Sequence, residues 1–200
     1  MKERVVLEVA KLPLHGEGRS SLTWWGTGAF MLIEGSGFAL AISVYFYLMS
    51  LAPQWPIDAA PPDLWAGTTL TFLLVASAIP NVVIGRWARQ RRLRQVRWGL
   101  VAMSVAGIIL LVLRVFEFPA LNLKWDDNAY GSIVWTILGL HTTHIVTDLV
   151  DTMVLTCLMF TRHGDNKRSY GDVEDNVLYW NFVILTWLPI YACLYWVPRL

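Results

Sequence analysis

Five apolar runs, each of a length suited to crossing a lipid bilayer, decide the fold class of this 200-residue chain before any single residue is weighed. They cover roughly Trp24–Leu51, Trp65–Gly85, Trp98–Phe116, Tyr130–Phe160 and Leu178–Trp196. About 30 Å of hydrocarbon takes about 20 mainly apolar residues in a helix. Composition points the same way, since 56% of the residues are hydrophobic, only 16% are charged, and 11 are tryptophan, the balance of a membrane protein. Backbone groups in lipid must find their partners within the chain. The expected fold is therefore all-α, a polytopic bundle of five transmembrane helices spanning residues 24–200. Residues 1–23 read as a polar tail of mixed charge. They lack the apolar core of a secretory signal, and Glu3 and Glu8 speak against a transit peptide. Pro53, Pro56, Pro61 and Pro62 mark the connection after the first run as non-helical.

The net charge of +1 says little, because the charges are segregated by segment. Arg86, Arg89, Arg91, Arg92, Arg94 and Arg97 crowd the connection between the second and third runs, and Arg162, Lys167 and Arg168 follow the fourth. The opposite side has only Lys124, Arg114 near a span end, and Arg199. The positive-inside rule then predicts a cytoplasmic N-terminus and an outer C-terminus. Trp24, Trp25, Trp87, Trp98 and Trp180 fall at inner ends, and Trp65 and Trp196 at outer ends, as interfacial tryptophans should. Arg86, Arg89, Arg91 and Arg92, with Trp25, are candidate contacts for lipid headgroups, although setting topology is their simplest role. No basic face on a soluble body is present, which argues against a nucleic-acid partner. Cys157 and Cys193 are too few for a disulfide framework or zinc cluster and lie at opposite ends of their spans.

Inside the fourth run the sequence reads HTTHIVTDLVD, from His141 to Asp151. At 100° per residue, His141, His144, Asp148 and Asp151 lie within about 80° of one another on a helix. Counting about 1.5 Å per residue from Tyr130, His141 comes near the membrane midplane, and Glu34 reaches a similar depth on the first run. Asp148 and Asp151 approach the cytoplasmic interface, where carboxylates can stay hydrated. Charged groups at the midplane are costly and face protein or water. Three readings follow. Glu34, His141 and His144 form a buried polar seam joining two helices; the stripe handles protons, with Asp148 and Asp151 collecting them; or the histidines bind a metal. The last lacks the further inward carboxylates that a di-iron bundle needs. Asp148 and Asp151 could instead pair with Arg86 or Arg89 and merely fix packing.

Other features read as packing. Gly35, Ala39 and Ser43 recur every four residues, a small-residue face for close helix approach. Pro80 and Pro189 should kink their helices, with Asn81 and Asn181 satisfying freed backbone groups. Arg114 and Glu117, at i and i+3, read as an interfacial ion pair.

Four stretches carry a resemblance: Trp25-Gly26…Phe30…Glu34; Glu117-Phe118 followed by Tyr130-Gly131-Ser132; Gly139-Leu140-His141-Thr142-Thr143-His144; and Leu178-Tyr179-Trp180-Asn181-Phe182…Trp187…Tyr191…Tyr195-Trp196. In this order and spacing the chain resembles subunit III of the haem–copper cytochrome c oxidases, in the short five-helix form of some bacterial members. Asn181 stands where that family usually has His, Ile184 where it usually has Asp, and Thr142 where it has Gly. Asp148 and Asp151 are not family hallmarks. The resemblance implies a non-catalytic, multi-pass subunit of a bacterial cytoplasmic membrane, serving aerobic respiration. Such a subunit packs against catalytic subunit I and near subunit II, stabilises subunit I and supports proton uptake. Haem and copper are then expected in the partner subunits and no cofactor in this one, with membrane phospholipid as a ligand. It also implies Glu34 as the partner of the histidines. The departures keep open an accessory subunit of a nitric oxide reductase or another respiratory complex. An independent transporter or membrane metalloenzyme is the remaining class.

Overall fold

The computed structural model describes residues 21–200, so the expected tail lies almost wholly outside the described residues. Those residues form helices and connecting turns, with five segments long and apolar enough to cross a membrane. Helix α1 covers Leu22–Leu51; the second span is split into α2 (Leu64–Ala76) and α3 (Ala78–Arg89); α4 covers Leu93–Glu117, α5 Ala129–Met159 and α6 Lys167–Tyr191. The all-α, five-span architecture is as predicted.

Local chemistry sets the helix ends. Ser21 accepts from the Thr23 amide at 3.2 Å to start α1, and Asn128 accepts from the Gly131 amide at 2.8 Å to start α5, each satisfying an amide the helix cannot. The second span breaks at Ser77 because the ring of Pro80 clashes with a carbonyl four residues earlier. The Ser77 hydroxyl donates to the Leu74 carbonyl at 2.6 Å and accepts from the Trp180 indole at 2.8 Å. Asn81 has a different task from the one predicted. Its amide donates across to α6, to the Val177 carbonyl at 2.9 Å and the Asn181 side chain at 3.2 Å.

The last helix begins at Lys167, well before the predicted start at Leu178. Residues 167–177 are too polar to count as membrane span, yet they extend the helix because Asn166 caps it and Glu174 pairs with Arg89 at 3.2 Å. Beyond Pro189, α6 passes into one wide π turn, Ala192–Trp196, which buries Cys193, Leu194 and Tyr195.

Helix α5 is the hub, packed against α1, α4 and α6. In the core of the bundle Leu70, Leu74, Ile84, Leu100, Ile137 and Trp187 are fully buried. Helix α1 is attached differently from the prediction. Only Gly35 of its small-residue face meets another helix, with Phe182 at 3.5 Å from an added Cβ; Ala39 and Ser43 are exposed. Its buried side carries Phe38 and Tyr45 instead, because large side chains seven residues apart cover more apolar area. At the far end, the 52–63 segment folds over the bundle. There Trp55 donates to the Tyr45 hydroxyl at 2.8 Å, Asn128 donates to the Ile57 carbonyl at 2.8 Å, and Arg199 holds the carbonyls of Pro62 and Tyr195. The two cysteines are free, with Cys157 exposed and Cys193 buried.

Candidate functional site

Side chains of His141, His144 and Asp148 point into the bundle from one face of α5, and all three residues are buried. Asp151, one turn further on, is exposed. The expected single seam is in fact two separate networks.

The first is built on His141. Arg114 reaches from α4 and donates to His141 Nδ1 at 2.9 Å and to Glu117 Oε2 at 2.5 Å. A guanidinium can only donate, so Nδ1 must be the acceptor. His141 is thereby fixed as the neutral tautomer whose Nε2–H donates to the Val183 carbonyl of α6 at 3.0 Å. Glu117 accepts a second bond, from the Tyr195 hydroxyl at 2.5 Å. The Arg114 guanidinium also lies over the Trp187 ring, 4.4 Å from its centre. Arg114 is 1% exposed and Glu117 0%, which corrects their reading as an interfacial pair. The C-terminal turn of α4 is buried in the bundle on this side instead of ending at its surface. Gly67 of α2 makes room for this arrangement, since a Cβ there would meet the Tyr195 ring at 2.2 Å.

The second network is built on Glu34 and His144. His144 Nδ1 lies 2.6 Å from the Leu140 carbonyl and must donate to it, because a carbonyl oxygen only accepts. Nε2 then faces Glu34 Oε1 at 3.2 Å, within ion-pair reach but without hydrogen-bond alignment. Glu34 Oε2 accepts from the Tyr179 hydroxyl of α6 at 2.8 Å. Phe38 packs on the His144 ring, with centres 4.8 Å apart. Glu34 thus meets His144, while His141 is taken by Arg114.

The aspartates also differ from each other. Asp151 accepts from the Asn176 amide at 2.9 Å. Asp148 is 1% exposed, and neither carboxylate oxygen has a hydrogen-bond partner. The expectation that Asp148 stays hydrated is corrected: it is buried, because α6 packs against α5 and brings Tyr179 beside this turn. Among the described residues no pairing of the aspartates with Arg86 or Arg89 is seen; Arg89 goes to Glu174. Arg86, Arg89, Arg91 and Arg92 are exposed at the end of the bundle where Trp25, also exposed, opens α1. Among the described residues no three of His, Cys, Asp or Glu converge as metal ligands.

Tyr179, Tyr195, Trp187 and Asn176 complete these networks, and their roles were missed in the sequence. A tyrosine inside a span is a usable signal, because its hydroxyl needs a partner in hydrocarbon.

The family model for cytochrome c oxidase subunit III matches residues 23–198. The chain is similar to the cytochrome c oxidase subunit 3 of Drosophila yakuba, with 27% identity over 183 residues, covering 86% of this chain and 68% of that one. To that of Synechocystis it is 25% identical over 186 residues, covering 90% and 78% respectively. To that of Rhizopus stolonifer it is 28% identical over 181 residues, covering 84% of this chain and 62% of the relative.

Proposed function

The chain belongs to the cytochrome c oxidase subunit III family, and from that premise we propose that it is a non-catalytic membrane subunit that stabilises the catalytic subunit of a haem–copper terminal oxidase and supports its proton uptake. The match over residues 23–198 carries this reading. The uncovered side of α1 supports the stabilising part. Only 11% of the most apolar stretch of α1 is buried by the rest of the chain, against 50% for α5, leaving a long apolar face for lipid or a partner subunit. Catalytic subunit I and subunit II are the proposed partners, in a bacterial cytoplasmic membrane, with haem and copper held by them. Exposed Arg86, Arg89, Arg91 and Arg92, with Trp25, are proposed to meet anionic headgroups.

Mild detergent extraction of the tagged chain should bring down a haem-containing catalytic subunit; a haem-free chain in every extract would overturn the reading. Asn181 and Ile184, which depart from the family pattern, favour a second reading as an accessory subunit of a nitric oxide reductase. The co-purified complex decides between them by reducing dioxygen or nitric oxide.

Proton support is proposed to run along Glu34, His144, Asp148 and Asp151. In the complex, the double variant Asp148→Asn, Asp151→Asn should assemble normally and lose turnover most steeply at alkaline pH, where protons are scarce. A pH profile that overlays the parent's removes these residues from proton supply. The proposed orientation has the arginine-rich end inside. In a Cys157→Ser background, cysteines at positions 90 and 58 should label from opposite sides, with 90 cytoplasmic; labelling of both from one side refutes it.

A further inference from the structure

Five buried side-chain atoms among the described residues have no hydrogen-bond partner, and three of them fall together: His144 Nε2 and both oxygens of Asp148. Residues at i and i+4 of a helix have Cβ atoms roughly 5–6 Å apart, so one water can link the two groups. A buried water characteristically joins polar atoms of this kind.

The donor arithmetic is restrictive. Because His144 Nδ1 donates to Leu140, its Nε2 and the facing Glu34 Oε1 at 3.2 Å are both acceptors unless one of the two residues carries a further proton. That proton sits on either residue, as imidazolium beside carboxylate or as imidazole beside carboxylic acid. Tyr179 cannot relieve the pair, because its hydroxyl is already given to the other Glu34 oxygen.

The groups facing Asp148 offer no counter-charge. Helix α1 brings Glu34, and α6 brings Tyr179 together with Asn176, which is bound to Asp151. Helix α4 presents Gly107 to Leu149 at this level; of its arginines, Arg97 is on the Met159 carbonyl, Arg114 is on Glu117 and Arg94 is exposed in the first turn of the helix. A bare carboxylate in such surroundings is strongly disfavoured. The cluster is electrically neutral only when it holds two protons.

We propose that Glu34, His144 and Asp148 form one internal site that binds two protons, joined across a helical turn by a buried water and filled from the surface through Asp151. It rests on the proton-support reading above. Three neutral arrangements share the two protons: acid Asp148 with acid Glu34 and neutral His144; acid Asp148 with the Glu34 carboxylate and imidazolium; and the Asp148 carboxylate with acid Glu34 and imidazolium. The first becomes the third when the Asp148 O–H bond breaks. Its proton passes to the water, which releases one of its own to His144 Nε2. Two protons and one intact water stand on each side. Neither step creates net charge inside the bundle, which is what lets a proton move there.

Infrared spectroscopy of the purified full chain, with isotope-labelled aspartate carboxyls, tests this. At neutral pH the label should mark a carboxylic-acid carbonyl band, since exposed aspartates are then ionised. That band should shift in D2O, shift again in Glu34→Gln, and disappear in Asp148→Asn. Its D2O shift should develop at least tenfold more slowly in Asp151→Asn. Absence of an acid band from the labelled aspartates and, in a parallel sample, from labelled glutamates overturns the site, since every neutral arrangement keeps Asp148 or Glu34 as the acid; this needs no variant to fold. A band indifferent to Glu34→Gln shows an isolated proton and overturns the shared site; an unchanged exchange rate in Asp151→Asn overturns the entry route. The measurement uses the chain alone, so it succeeds or fails independently of haem co-purification.

Discussion

His141 and His144 stand three residues apart on one face of α5, yet their surroundings are opposite in kind. His141 has both ring nitrogens spoken for, by a fixed donor in Arg114 and a fixed acceptor in the Val183 carbonyl. One protonation state satisfies both. His144 has one nitrogen fixed by Leu140, while the other faces a carboxylate that can itself hold the proton. The first is a lock and the second has freedom left in it. Arg114 Nε has no partner, yet paired ring nitrogens and matched charge fix the state of His141, whereas an acceptor facing a second acceptor leaves His144 able to change state.

The sharpest test of that contrast is to break the lock. Arg114→Leu leaves Glu117 buried without its cation, and losing one partner of a buried pair costs about 3–5 kcal/mol. Thermal unfolding in detergent should show the largest fall of any variant here; a fall no greater than that of Glu34→Gln would erase the distinction. Gly67→Ala tests the same lock from α2. Its new methyl meets the Tyr195 ring, and overpacking of this kind costs about 1–3 kcal/mol. The same melting measurement should place it below Arg114→Leu and above the variants on the His144 side.

On that side the effects should be small. Glu34→Gln keeps an acceptor for Tyr179 but loses the shared proton, so a stability change of about 1 kcal/mol is expected. Asp148→Asn should change stability by less than about 1 kcal/mol in either direction, because no hydrogen bond within the chain is lost. A large destabilisation by Asp148→Asn would reveal a structural partner for that carboxylate and merge the two regions into one.

Most of the architecture was legible, and the reason is the bilayer. Apolar length alone locates five spans, and Pro80 locates the break in the second. Polarity alone misplaced the start of α6, because a capped and ion-paired helix can continue past the lipid. The site was half legible. Helical spacing put His141, His144 and Asp148 on one face, and depth put Glu34 beside them. Spacing along a single helix says nothing of what faces it. The same count that grouped the two histidines could not assign Arg114 to one and Glu34 to the other.

By itself, then, the sequence determined which segments cross hydrocarbon and which ionisable groups lie within it, because both follow from local periodicity and transfer cost. Only the tertiary structure decided how those groups pair. Arg114 and Glu117 become a buried lock because the last turn of α4 is packed inside the bundle, Gly67 admits the Tyr195 ring, and the π turn after Pro189 carries that tyrosine to Glu117. Asp148 is shut away because α6 packs against α5 and brings Tyr179 beside it. Each outcome depends on the meeting of distant segments, and side-chain pairing at about 3 Å is fixed by that meeting alone.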